Sequence, residues 1–162
     1  IPLDISLGKG VYIGKGVKLN YNLELKKNAL ISGHVKFGKD ISVGEGVQLS
    51  CYPGQTLDIK NGVVILRGNM IRGNIVIGEK SKIESGVKLT GNDAFPLRIG
   101  KEVTIRGRSY IFGSVIEDGI FIEHSVIIKK KVERLFKKNG KLQPIRFYLP
   151  MPEGIDAIEE LC

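Results

Sequence analysis

A chain of 162 residues with a formal charge of +8, two cysteines and no tryptophan is long enough to bury a core without disulfides, and it fits one domain or one repeat array. Cys51 and Cys162 form no CxxC pair and have no zinc spacing, which argues against a disulfide framework and a thiolate metal site and makes a reducing cytosol the expected compartment. No apolar run approaches the roughly 18 residues of a spanning helix and no signal peptide opens the chain, so no membrane partner is expected.

In chain order, apolar residues followed by a turn residue fall at Leu7, Ile13, Leu19, Leu25, Ile31, Phe37, Val43 and Leu49, then from Ile59 to Leu89, then at Ile99, Ile105 and Ile111, with a spacing of six inside each block. A second apolar or small residue stands two before each beat, as at Val11, Val17, Leu23, Ala29, Val35, Ile41 and Val47. Each unit therefore reads as a short strand with alternate residues inward, too short for a helix. Such a strand cannot bury its apolar face alone, so successive strands are expected to wind into a prism filled with Ile, Leu and Val. Past Ile111 the beat is expected at Ile116, Ile122 and Ile128, the first of these steps being five residues long.

After about Lys131 the hexads are expected to stop. The segment "VERLFKKNGKLQPIRFYLP" alternates around Asn139-Gly140, a hairpin signal, and "EGIDAIEEL" puts Ile155, Ile158 and Leu161 on one helical face. Residues 1–131 are thus expected as a β-helix domain, and 132–162 as a hairpin and short helix that either cap its open end or reach a neighbouring subunit.

Lysines recur beside nearly every beat, as on the solvated face of a repeat, and the one cluster runs from Lys129 to Arg146. No series of aromatic residues interleaves with it as stacking platforms, so nucleic acid is not expected as a partner. The Lys-rich, Ile-rich composition suits a heat-adapted source.

Two gaps in the beat are ten residues long, from Leu49 to Ile59 and from Leu89 to Ile99. With three beats per coil, both insertions leave the same corner of the prism, as do the short step after Ile111 and the turn that carries His34. That corner is either the functional edge, since loops on a rigid scaffold carry function, or one that tolerates insertion.

Period and glycine placement resemble the hexapeptide-repeat, left-handed parallel β-helix, and the handedness rests on that resemblance alone. From residue 71 the segments "IRGN", "IVIGEKSKIESGVKLTG", "PLRIGKEVTIRG" and "IFGSVIEDGIFIEHSVI" resemble the γ-class carbonic anhydrases. In that family a ten-residue step separates the first metal histidine from the second, and a five-residue step follows the third. By motif position the three histidines fall on Thr90, Gly107 and Phe112, the family's Asp on Asn74 and its Gln on Glu84, while Arg72 is kept. None of the three ligand positions holds an imidazole, so no metal is expected. The resemblance implies a homotrimer.

Two functions follow as expectations. In one, the chain is a non-catalytic, metal-free trimeric binding or scaffold protein whose inter-subunit cleft, around Arg72, Asn74, Glu84, Thr90, Arg106, Arg108 and Phe112, holds a small anionic ligand or nothing, with no cofactor. The three arginines either receive that anion or bridge subunits. In the other, it is a hexapeptide-repeat acyltransferase with His124 as general base and acetyl-coenzyme A laid along the helix edge by the loops at 50–56 and 90–96. His124 is otherwise an exposed turn residue. His34 and Cys51 share the irregular corner, either by coincidence or as a thiol–imidazole pair.

Overall fold

The computed structural model describes residues 3–133 in full and, beyond them, the backbone of three short strands at 135–138, 141–144 and 147–148. The chain winds into an all-β parallel solenoid of about seven turns, and the described residues contain no helix. Three sheets form its faces. Sheet A stacks eight strands from β1 (Ile5–Leu7) through β18 (Phe121–Ile122) to β23 (Phe147–Tyr148); sheet B stacks seven from β2 (Tyr12–Ile13) to β19 (Val126–Ile128); sheet C stacks six from β5 (Val35–Phe37) to β20 (Lys131–Val132).

The hydrophobic period builds this shape directly. In each strand the beat residue and the residue two before it face inward, and from Leu23 to Val132 the beats are sealed from solvent, with Leu25, Ile31, Val43, Ile65, Ile77, Ile83 and Ile111 all at 0% exposure. Burying one such side chain contributes about 1.5–3 kcal/mol. Pairing of each strand with the same face one coil on gives the coil length: Leu23 lies opposite Ile41 and Ile71 opposite Leu89, 18 residues apart, whereas Val43 opposite Ile65 and Leu89 opposite Ile111 are 22 apart where a four-residue insertion intervenes. The two insertions, the His34 turn and the short step after Ile111 all lie between a sheet B strand and a sheet C strand, so they share the B/C edge as expected.

Two expectations need correction. Ile128 is not on the beat: it is 45% exposed, while Ile127 is fully buried opposite Ile111. The five-residue step is therefore repeated from Ile122 to Ile127 and again from Ile127 to Val132, which lies opposite Ile116. Coils of 18 residues shrink to 17 and then to 16, because a corner of two residues becomes a corner of one. At the other end, Leu7 is 57% exposed and Ile13 and Leu19 are half-buried, because the first coil has core on one side only.

After β20, strands β21 (Leu135–Lys138) and β22 (Lys141–Pro144) pair antiparallel, and β23 then rejoins sheet A in parallel with β18. The Asn139-Gly140 turn and the helix expected near 155–161 lie outside the described residues. No helix among the described residues is long and apolar enough to cross a membrane.

The outward columns of the three sheets differ in chemistry. On sheet B the column at the strand entrance reads Tyr12, Leu30, Gln48, Met70, Lys88, Tyr110, Val126. The equivalent column on sheet C reads Lys36, Asp58, Val76, Arg98, Val115, Lys131. Tyr12, Leu30 and Val126 are 57%, 46% and 68% exposed, so sheet B presents the apolar face.

Candidate functional site

The expected site residues separate onto the two edges of sheet B. Arg72, Thr90 and Phe112 lie opposite one another in successive strands on its B/C side, one position further on from Ile71, Leu89 and Ile111, with Asn74 at the neighbouring corner. Glu84, Arg106, Arg108 and His124 lie on the A/B side, where sheet A strands end and turn into sheet B. Within one chain the two groups do not share a cleft.

On the B/C edge, stacked loops form a ridge. Gln55 is buried and ties them together: its Oε1 accepts from Tyr52 N (3.1 Å) and its Nε2 donates to Asp93 Oδ1 (3.3 Å) in the second insertion, two coils away. Phe95 in that second loop lies tilted against Phe112, with ring centroids 6.4 Å apart, and the Lys129 ammonium sits 4.4 Å over the Phe95 ring. Under this cover the Thr90 hydroxyl oxygen is sealed from solvent without a hydrogen-bond partner. Arg98 donates to Asn74 Oδ1 and to its carbonyl, at 3.1 and 3.4 Å, and Arg72 donates to Ser50 Oγ at 3.3 Å. Cys51 and His34 do not form a pair: Cys51 Sγ donates to the Gln55 carbonyl, and His34 Nδ1 meets Thr56 Oγ1 at 3.0 Å.

On the A/B edge the Arg106 guanidinium is held between two carboxylates, with Glu84 at 2.9 Å and Glu123 at 3.6 Å, and lies over the Phe121 ring. Its charge is already matched. His124 is exposed, and its Nδ1 is hydrogen-bonded to the Gly107 carbonyl one coil below. The repeated five-residue step explains this contact: the corner that Gly107 and Arg108 share in one coil is filled in the next by His124 alone. A carbonyl can only accept, so Nδ1 carries a proton, and in the neutral ring Nε2 is the free acceptor of this exposed residue. Sequence reasoning gave His124 as a candidate base without a group to orient it; that group is a backbone carbonyl, which side-chain patterns do not reveal.

Three clefts open elsewhere, on sheet C and its edge with sheet A. One of about 370 Å³ is lined by Arg98, Gly100, Val115 and Asp118, among others; one of about 230 Å³ by Lys36, Asp58 and Lys60; and one of about 320 Å³ by Glu79, Lys80, Lys101 and Glu102. Among the described residues no three His, Cys, Asp or Glu side chains converge as metal ligands would.

No family model matches the chain, and no curated protein matches it. Among solved structures it is similar to a perosamine N-acetyltransferase from Caulobacter crescentus in complex with CoA and GDP-perosamine, at 13% identity and a TM-score of 0.33, over 88% of this chain and 55% of that one. It is also similar to a UDP-N-acetylglucosamine acyltransferase from Arabidopsis, at 13% identity and a TM-score of 0.25, over 90% of this chain and 74% of that one. The chain thus spans about half the length of the first. Neither likeness assigns a chemistry, which has to be read from this chain's own residues.

Proposed function

We propose that this chain is a left-handed hexapeptide-repeat acyltransferase in which His124 is the general base. The observation that carries the reading is the Nδ1 contact to Gly107, which fixes the tautomer of the neutral ring and leaves Nε2 free on an exposed residue of a rigid edge. In the step this supports, Nε2 takes a proton from an acceptor amine or hydroxyl as the acceptor's lone pair attacks the carbonyl carbon of an acyl thioester. The tetrahedral intermediate then collapses, the C–S bond breaks, and the proton on Nε2 passes to the leaving thiolate. The products are an amide or ester and a free thiol, and acetyl-coenzyme A is the donor to try first.

The trimer belongs to the same proposal. If sheet B of each copy faces a threefold axis, the A/B edge of one subunit meets the B/C edge of the next, and the apolar column from Tyr12 to Val126 is buried. His124 of one subunit then faces the Phe95–Phe112–Lys129 ridge of the other. The β21–β22 pair would close the end of each solenoid.

The test is release of free thiol from acetyl-coenzyme A against a panel of amines. The wild-type protein should turn over and His124→Ala should lose at least about a hundredfold, the usual share of a general base. Equal rates in both proteins would refute His124 as base.

A second reading keeps the resemblance to the γ-class carbonic anhydrases and makes the chain a metal-free binding protein. What supports it is the unpartnered Thr90 hydroxyl beside Phe112; Gly107 lies on the opposite edge, so the three positions would come together only across the proposed interface. Turnover separates the readings: a protein that releases no thiol from acetyl-coenzyme A, and that native mass spectrometry shows as a trimer taking up no added zinc, fits only the second.

A further inference from the structure

The A/B corners share one backbone conformation, and in one of them a long charged side chain carries it. The second corner residue takes a left-handed conformation in every coil from the second onward, and it is Asn28, Gly46, Gly68 and Gly86 in turn, with φ between 62° and 71°. In the next coil the order of glycine and side chain is reversed: Gly107 comes first and Arg108 takes the left-handed position, with φ of 62°. A long charged side chain is held there against its backbone preference. Glycine at the first position has its own cause, since a Cβ on Gly107 would stand 2.8 Å from the Ser85 carbonyl oxygen.

The reversal has consequences for the site. Arg108 is exposed and has no acidic partner among the described residues, unlike Arg106, whose charge Glu84 and Glu123 match. It is also the residue next to the carbonyl that holds His124. A base oriented by the backbone thus stands one coil from an exposed arginine that shares its corner, and the planar fork of a guanidinium suits carboxylate or phosphate oxygens.

We propose that Arg108 is the specificity-determining residue of this site and that the acceptor is an amine or hydroxyl compound carrying a carboxylate or phosphate group. This rests on the acyltransferase reading for the word acceptor, but the anion subsite stands or falls separately. The ionisable groups on this edge are Arg106, Glu84, Glu123 and His124 itself.

The experiment uses the full chain and two probes, inorganic phosphate and acetate, read by the Nε–H cross-peak of Arg108 and the ring resonances of His124, with His34 on the far edge as internal control. Saturable millimolar shifts at Arg108 and His124 but not at His34, abolished in Arg108→Gln, are expected; whichever probe binds tighter names the anion. Arg108→Gly adds a readout that a structural role would not give. Glycine suits the left-handed corner, so this variant should melt at a higher temperature than wild type while losing the anion response. Equal shifts at His34, shifts that persist in Arg108→Gln, or a lower melting temperature in Arg108→Gly would each overturn the proposal. In turnover, Arg108→Gln should raise KM for an anionic acceptor at least tenfold and leave KM for acetyl-coenzyme A within twofold. Specific anion shifts in a protein that transfers no acyl group would retain the subsite and remove the acyltransferase reading.

Discussion

Gly73 shows at the scale of one residue how tightly the coils stack. Its φ is 118°, and a Cβ there would stand against the carbonyl oxygen of Gly91 in the next coil. Gly46 also has a left-handed φ, of 71°, but its Cβ would meet nothing within 4 Å. Gly46→Ala should therefore cost about 1 kcal/mol, the ordinary penalty for that conformation, while Gly73→Ala should cost about 3 kcal/mol or more, since backbone has to move as well. Chemical denaturation of the two variants checks the difference, and equal losses would refute the close approach. A second prediction concerns Lys39, whose ammonium sits 5.6 Å over the Tyr21 ring and whose pKa is raised above the ordinary 10.5, first by a hydrogen bond to Tyr21 and then by the charges of Tyr21 and Asp40. A raised lysine pKa means that the contact is fully present below the ordinary value and is lost as pH rises through the folded one. Tyr21→Phe should bring the Lys39 titration back toward 10.5, as followed by NMR of its side chain.

At the scale of the strand, the corrected register makes its own prediction. Ile127 fills the core opposite Ile111, and Ile128 points outward opposite Phe112. Ile127→Asn should destabilise by several kcal/mol, because it leaves an unpaired amide in a dry core, while Ile128→Asn should change monomer stability by about 0.5 kcal/mol or less. The reverse order would restore the unshortened step. The pair also shows what the residues revealed in advance and what they hid. Six-residue spacing is visible because each beat is one apolar residue flanked by polar ones, and both ten-residue gaps stand out against it. At Ile127-Ile128 two apolar residues are adjacent, so periodicity alone cannot choose between them; the choice is made by Ile111, Ile116 and their coils, which are neighbours only in space. His124 was legible as a corner residue for the same reason that the beat was, but its hydrogen bond to the Gly107 carbonyl was not, because a backbone partner leaves no mark in residue types.

At the scale of the molecule, the uneven chemistry of the three faces is the feature that local pattern does not explain. A solenoid of this kind needs only an inward face to fold, and sheet C shows the expected exterior of Lys36, Asp58, Arg98 and Lys131. Sheet B carries Leu30, Met70, Tyr110 and Val126 at equivalent places, where apolar area in contact with water stabilises nothing in a single chain. In the proposed trimer, association through that face would account for it, and threefold closure would also bring the A/B and B/C edges together. Charges placed on this face should then break the assembly without unfolding the solenoid, since the side chains point away from the core. Val126→Lys combined with Leu30→Lys should convert a species of three times 17.8 kDa into one of 17.8 kDa by native mass spectrometry, with unchanged far-ultraviolet circular dichroism. Lys36→Glu on sheet C should leave the trimer intact. If the doubly substituted protein remains trimeric, the apolar face is not the contact between copies, and His124 has no neighbouring ridge to work against.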